Sequence, residues 1–85
     1  MDETAKVTVY SASWCAFCHM AKNYLNGLGV KFKEIDVDHD HNAAQELVAK
    51  TGQAGIPVLE IGESVIIGFD KQGIDKALQE NNLLK

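Results

Sequence analysis

Between Val7 and Glu80 the chain switches repeatedly between a two-residue and a 3.6-residue hydrophobic period, and each switch marks an element. Val7-Thr8-Val9-Tyr10 is a β-branched and aromatic run that predicts a first strand, and Ser11-Ala12-Ser13 opens a loop after it. From about Cys15 to Leu28 the period is helical, with Cys18, Ala21, Leu25 and Leu28 on one face, Lys22, Asn23 and Asn26 outward, and Gly27 and Gly29 as the stop. Val30 through Val37 then reads as a second strand, Ile35 and Val37 on one face and Glu34 and Asp36 on the other. Asp38-His39-Asp40-His41-Asn42 is a turn whose Asp40 or Asn42 caps a second helix over Ala43 to Lys50, with Ala44, Leu47 and Val48 as its buried stripe and Glu46–Lys50 as an outward pair.

Thr51-Gly52-Gln53-Ala54-Gly55 breaks that helix. Pro57 lacks an amide proton for a sheet ladder and so begins the third strand, Pro57 to Ile61. Gly62-Glu63 fits a two-residue hairpin with glycine first, returning as Ser64 to Ile67. Gly68-Phe69 leads to Asp70, the N-cap of a third helix from Lys71 to about Glu80 with Ile74, Ala77 and Leu78 inward. The order is β-α-β-α-β-β-α. A helical crossover makes strands 1 and 2 parallel, and a two-residue turn makes strands 3 and 4 antiparallel. The expectation is an α/β fold: one four-stranded mixed sheet with helices on both faces, a single domain spanning residues 1–85. The end of the first strand then lies at the carboxyl edge of the sheet, where open α/β sheets build their sites.

That edge is where the chemistry concentrates. Ser13-Trp14-Cys15-Ala16-Phe17-Cys18 holds both cysteines of the chain, three positions apart, at the junction of strand and helix. On a helix starting near Cys15 the two thiols share a face with Cβ atoms ~5–6 Å apart. A slight tightening of the first turn closes a disulfide, whose Cα atoms need ~4.4–6.8 Å. Cys15 meets the unpaired amides and positive end of the helix dipole, an environment that favours a thiolate. Cys18, a turn further in, is expected to be more buried and to act as the resolving thiol.

Composition narrows the classes. A hydrophobic fraction of 46% with 24% charged residues belongs to an ordinary globular domain, and the formal charge of −4 argues against nucleic acid or an anionic membrane surface as partner. The acidic start Met1-Asp2-Glu3 is unlike a basic-then-apolar signal peptide, and the longest apolar run, Val65-Ile66-Ile67, cannot span a bilayer. A cytoplasmic location is therefore expected, where a cysteine pair is more often catalytic or metal-bound than structural. A zinc site combining Cys15 and Cys18 with His39 and His41 is disfavoured, because zinc-finger histidines are separated by three to five residues and these by one. The histidines read as solvated turn residues, Lys22 as solvated, and Tyr10, Tyr24, Phe32 and Leu25 as core. Trp14 either docks a protein substrate beside Cys15 or shields its sulfur.

Taken together, Tyr10-Ser11-Ala12-Ser13-Trp14-Cys15-Ala16-Phe17-Cys18, Gly55-Ile56-Pro57 and Gly68-Phe69-Asp70 make the chain resemble the glutaredoxins and glutaredoxin-like redoxins, members of the thioredoxin-fold family. The resemblance implies a thioredoxin-like fold, a cis Ile56–Pro57 bond facing the cysteines, and dithiol–disulfide exchange with Cys15 as nucleophile and Cys18 resolving. It further implies that substrate or glutathione is held by Trp14, Phe17, Gln53, the backbone at Ile56 and Pro57, and Gly68, Phe69 and Asp70, the last two amides cradling a carboxylate. The chain departs from the family pattern at Ala16-Phe17, where Pro-Tyr is usual, at Ala12 for a usual Lys or Arg, at Ile67 for a glycine and at Lys71 for an acid. The partners implied are disulfide-containing proteins, with glutathione as co-substrate or thioredoxin reductase as recycling enzyme, the latter fitting an electron donor to a reductase such as ribonucleotide reductase. No permanent cofactor or metal is required of a monomer, because the sulfurs carry the electrons. A second class also fits the resemblance: a dimer around an iron–sulfur cluster held by the first cysteine of each chain and two glutathiones.

Overall fold

The structure is a computed structural model and describes residues 6–52 and 55–83. Seven elements follow one another: β1 (Val7–Ser11), α1 (Ala16–Gly27), β2 (Lys33–Asp36), α2 (His41–Thr51), β3 (Val58–Ile61), β4 (Ser64–Ile67) and α3 (Lys71–Glu80). They form one mixed sheet in the order β2-β1-β3-β4, with β1 parallel to β2 and antiparallel to β3, and β3 antiparallel to β4. The fold class, the element order and both strand-direction expectations therefore hold.

The two-residue period of the strands divides the core into two layers. Val7 and Val9 of β1 and Leu59 and Ile61 of β3 face one side, where they pack with Ala21 and Leu25 of α1 and Ile74, Ala77 and Leu78 of α3. Tyr10 and Val58 face the other side against Ala43 and Leu47 of α2. Each helix begins with a side chain that accepts an otherwise unpaired amide: Asp40 from Ala43 at 3.0 Å and Asp70 from Gly73 at 3.2 Å. In α1 that acceptor is the sulfur of Cys15.

Several local expectations are corrected by packing. Leu28 is the C-cap of α1 and is 37% exposed, because Gly29, at φ +74°, turns the chain so that Val30 takes the buried place next to Leu25. Gly27 is the last residue of the helix and Gly29 follows its cap, as the two glycines were expected to end it. Strand β2 starts at Lys33, not Val30, since Val30 and Phe32 reach the core from the connecting segment before the ladder begins. In α2 the sheet-facing line is Ala43 and Leu47, one turn apart, which leaves Val48 43% exposed and Ala44 half-buried. Lys50 does not pair with Glu46; it reaches across to Glu60 on β3 at 2.7 Å, and its ammonium lies 5.9 Å from the Tyr10 ring centroid. Pro57 precedes β3 instead of opening it, consistent with its missing amide proton. The hairpin at Gly62-Glu63 forms with Gly62 at φ +60°, a backbone state that costs a side chain ~1–2 kcal/mol.

Candidate functional site

Parallel pairing places Ser11 opposite Asp36, so the loops leaving β1 and β2 emerge side by side at one edge of the sheet. The first of these loops is Ala12-Ser13-Trp14. It closes with the Cys15 amide donating to the Ala12 carbonyl at 3.1 Å. Cys15 keeps an extended backbone (φ −93°, ψ 109°), as an N-cap must, and its carbonyl accepts the His19 amide at 3.2 Å while its Sγ accepts the Cys18 amide at 3.2 Å. The helix therefore starts on the sulfur itself. Cys15 and Cys18 are joined as a disulfide across a Cα–Cα distance of 5.2 Å, with Cys18 fully buried and Cys15 6% exposed.

Ala12, Cys15 and Cys18 form a small buried cluster, and the half-buried Ile56 packs against it. The Ile56–Pro57 bond is cis, as the resemblance implied. Pro57 is buried, and its carbonyl accepts the Gly68 amide at 2.8 Å, so the segment before β3 and the segment before α3 are tied together on the cysteine side of the sheet. Gly68 holds φ +83°, which directs the chain into the Asp70 cap. The half-buried side chain of Phe69 packs against the core, its ring edge-on to Tyr24 at 6.0 Å. The Asp70 amide donates to the Gly68 carbonyl at 3.1 Å. Lys71 places its ammonium 5.1 Å from the Tyr24 ring centroid. Gln53 lies outside the described residues.

Trp14 and Phe17 flank the cysteines and stand out from the surface, 68% and 60% exposed, and Met20 one turn on is 46% exposed. The Trp14 indole Nε1–H donates to Asp38 Oδ2 at 2.9 Å. His19 binds the Ser13 carbonyl through Nε2 at 2.9 Å, anchoring the loop before Trp14. His39 sits 3.0 Å from Asp36 and, by hydrogen bonding, holds that carboxyl below the usual carboxylate range. Among the described residues no group of three His, Cys, Asp or Glu side chains is placed to hold a metal ion. Nor is any described helix long and apolar enough to cross a membrane.

Beneath the loop lies a feature that the sequence did not single out. Lys22, expected to be solvated, is only 16% exposed along its side chain and bonds Glu34 at 2.7 Å, while the buried Ser11 hydroxyl donates to the same Glu34 oxygen at 2.8 Å. These two donors, Lys22 first, hold the Glu34 carboxyl below its ordinary range. The available signal was alternation: Glu34 shares a strand face with Asp36, the face that helix 1 covers, within reach of a long cation.

Comparison with known proteins bears on what this site does. Residues 7–66 match the family model for glutaredoxin. The N-acetyl-S-hydroxy-L-cysteine reductase of Bacillus subtilis (strain 168) is 36% identical over 74 residues, covering 87% of this chain and 75% of that protein. Among solved structures, the glutaredoxin-like NrdH-redoxin from Escherichia coli superposes with a TM-score of 0.77 at 31% identity, covering 82% of this chain and 91% of that one. A buckwheat glutaredoxin–glutathione complex gives 0.76 at 26% identity, covering 96% and 84%. A cysteine pair that caps its own helix, in a chain matched along most of its length, leads to one assignment: this protein belongs to the glutaredoxin family and is a thiol–disulfide oxidoreductase.

Proposed function

We propose that Cys15 is the attacking thiol and Cys18 the resolving one, and that the chain reduces disulfides of proteins and mixed disulfides of glutathione. The observation that carries this reading is the Cys18 amide donating to Cys15 Sγ at 3.2 Å at the start of α1. In the reduced protein the same amide and the dipole behind it stabilise negative charge on Cys15. Among the described residues Cys18 Sγ has no such donor, and Cys18 is fully buried. The Cys15 thiolate attacks one sulfur of the substrate disulfide; the substrate S–S bond breaks, a Cys15 mixed disulfide forms, and the departing thiolate takes a proton from water. Cys18 then loses its proton, attacks Cys15 Sγ and expels the second substrate thiol, which leaves the Cys15–Cys18 disulfide and a substrate reduced by two electrons. Ile56 and Pro57 offer backbone to the incoming chain, Trp14 and Phe17 offer apolar surface, and Gln53, Gly68, Phe69 and Asp70 hold a glutathione carboxylate.

The electron donor separates two versions of this function. Glutathione is supported by the likeness to a glutaredoxin crystallised with it. Thioredoxin reductase is supported by the likeness to NrdH-redoxin, whose activity profile is described as thioredoxin-like. The test is to follow NADPH consumption while the oxidised protein is reduced by glutathione with glutathione reductase, and separately by thioredoxin reductase. A rate with glutathione at least tenfold higher establishes the first version, and the reverse ratio establishes the second. Reduction by either donor that survives Cys15→Ser removes Cys15 from the nucleophile role.

A further inference from the structure

We infer that Asp38 is a positioning residue for substrate docking: it holds the exposed Trp14 ring in place next to Cys15. This deepens the proposed docking role of Trp14 and rests on it. The strand register brings the two residues together. Ser11 and Asp36 are paired across β1 and β2, Trp14 comes three residues after the first and Asp38 two after the second, and the Val37 amide donates to the Ser11 carbonyl at 2.9 Å.

The turn that carries Asp38 is braced independently of its side chain. Asp36 accepts the Asp38 amide through Oδ1 at 2.9 Å, its carbonyl accepts the His39 and Asp40 amides at 3.1 and 3.0 Å, and its Oδ2 bonds His39. Asp38 is thus a fixed acceptor on a rigid turn, aimed at a ring that is otherwise mostly in water. The opposite end of the loop is pinned as well, by His19 on the Ser13 carbonyl. An unrestrained tryptophan at 68% exposure would have to be ordered each time a partner docks, and the hydrogen bond removes that ordering cost in advance. The ring then forms a preset apolar platform beside the reacting sulfur, with the Asp38 carboxylate at its edge. A partner that fits carries an apolar residue and a basic one near its disulfide.

Trp14 is the only tryptophan of the chain, so its emission reports its own surroundings. The experiment compares wild type, Asp38→Ala, Asp38→Asn, Trp14→Phe and Trp14→Ala by acrylamide quenching and by initial rates of insulin disulfide reduction with dithiothreitol as electron source. Asp38→Ala is expected to increase the quenching of Trp14 and to raise KM for insulin by about 3- to 10-fold with kcat within about 2-fold, the scale of one lost charge-assisted hydrogen bond at a wet site. Asp38→Asn retains an acceptor without the charge, so both readouts return toward wild type. In the Trp14→Phe background, which lacks the indole donor, Asp38→Ala has no further effect on KM. Unchanged quenching in Asp38→Ala overturns the inference. So does a raised KM in Trp14→Ala accompanied by a wild-type KM in Asp38→Ala. If Trp14→Ala itself leaves KM unchanged, the docking role of Trp14 fails first, and the role of Asp38 in docking fails with it. A fall in kcat that Asp38→Asn shares would trace to charge near Cys15 and would also overturn the positioning role.

Discussion

Replacing Glu34 by alanine should loosen the floor of the active-site loop by an amount that can be worked out from its two donors. The Ser11 hydroxyl, fully buried at the end of β1, loses its acceptor, and an unpaired buried hydroxyl costs ~1–3 kcal/mol. The ion pair with Lys22 adds less, because the Glu34 side chain is 44% exposed and a pair this wet contributes only ~0.2–1 kcal/mol. The sum is about 1.2–4 kcal/mol. For a domain of this size 1 kcal/mol moves Tm by ~4–8 °C, so a fall of roughly 5–30 °C is expected in a far-UV circular dichroism melt at pH 7. The double variant Ser11→Ala/Glu34→Ala removes donor and acceptor together and should recover much of the loss. The same carboxylate makes stability depend on pH. Its pKa is lowered in the folded protein, so the contribution is complete above the unfolded-state value and disappears as pH falls through the folded-state value. Wild type and Glu34→Ala should therefore converge in acid. A Glu34→Ala loss below ~0.5 kcal/mol, or single-variant losses that simply add in the double variant, would refute the account.

Cys18→Ser should retain exchange with glutathione mixed disulfides, which needs only Cys15, and should lose two-cysteine reduction of insulin; product analysis by mass spectrometry distinguishes them. Leu25→Ala, at a fully buried position of α1, should cost ~2–5 kcal/mol in urea unfolding, whereas Leu28→Ala, at the exposed C-cap, should cost well under half as much. Gly62→Ala should destabilise more than Gly52→Ala: both glycines have positive φ, but a Cβ at Gly62 would run into the Asn81 side chain while one at Gly52 meets open space. Equal midpoints for the two in parallel denaturation curves would count against that contact.

The elements were legible because each carries a local signal strong enough to survive folding. Asp40 and Asp70 cap the helices they were expected to cap, the Gly62 hairpin forms where glycine leads, and Ile74, Ala77 and Leu78 face the sheet as their spacing requires. The cysteine pair was equally plain, since i and i+3 on a first helical turn bring two sulfurs together whatever surrounds them. What periodicity could not supply was long-range partnership. Lys50 had a suitable acid four residues back and took Glu60 from β3 instead. Lys22 read as a surface cation because its true partner, Glu34, is twelve residues away, and its covering depends on how α1 crosses β2. Leu28 and Val48 met the helical spacing rule, but Val30 fills the buried place beside Leu25, and Ala43 and Leu47 alone form the sheet-facing line of α2. Asp38 shows the same limit at the site: only the pairing of Ser11 with Asp36 tells which turn stands next to Trp14.

That Cys15 Sγ receives the Cys18 amide, one of the free amides of the first turn of α1, gives the relation between helix and sulfur two directions. Whatever the backbone lends to a charged sulfur is returned, in equal measure, as firmer anchoring of the coil that carries it. On the proposed mechanism each round of electron transfer converts that anchor from an anion to a neutral bridge and back, so the amide holds the sulfur most firmly when the protein is charged with electrons, and the Cys15–Cys18 bond takes over the opening turn once it has delivered them.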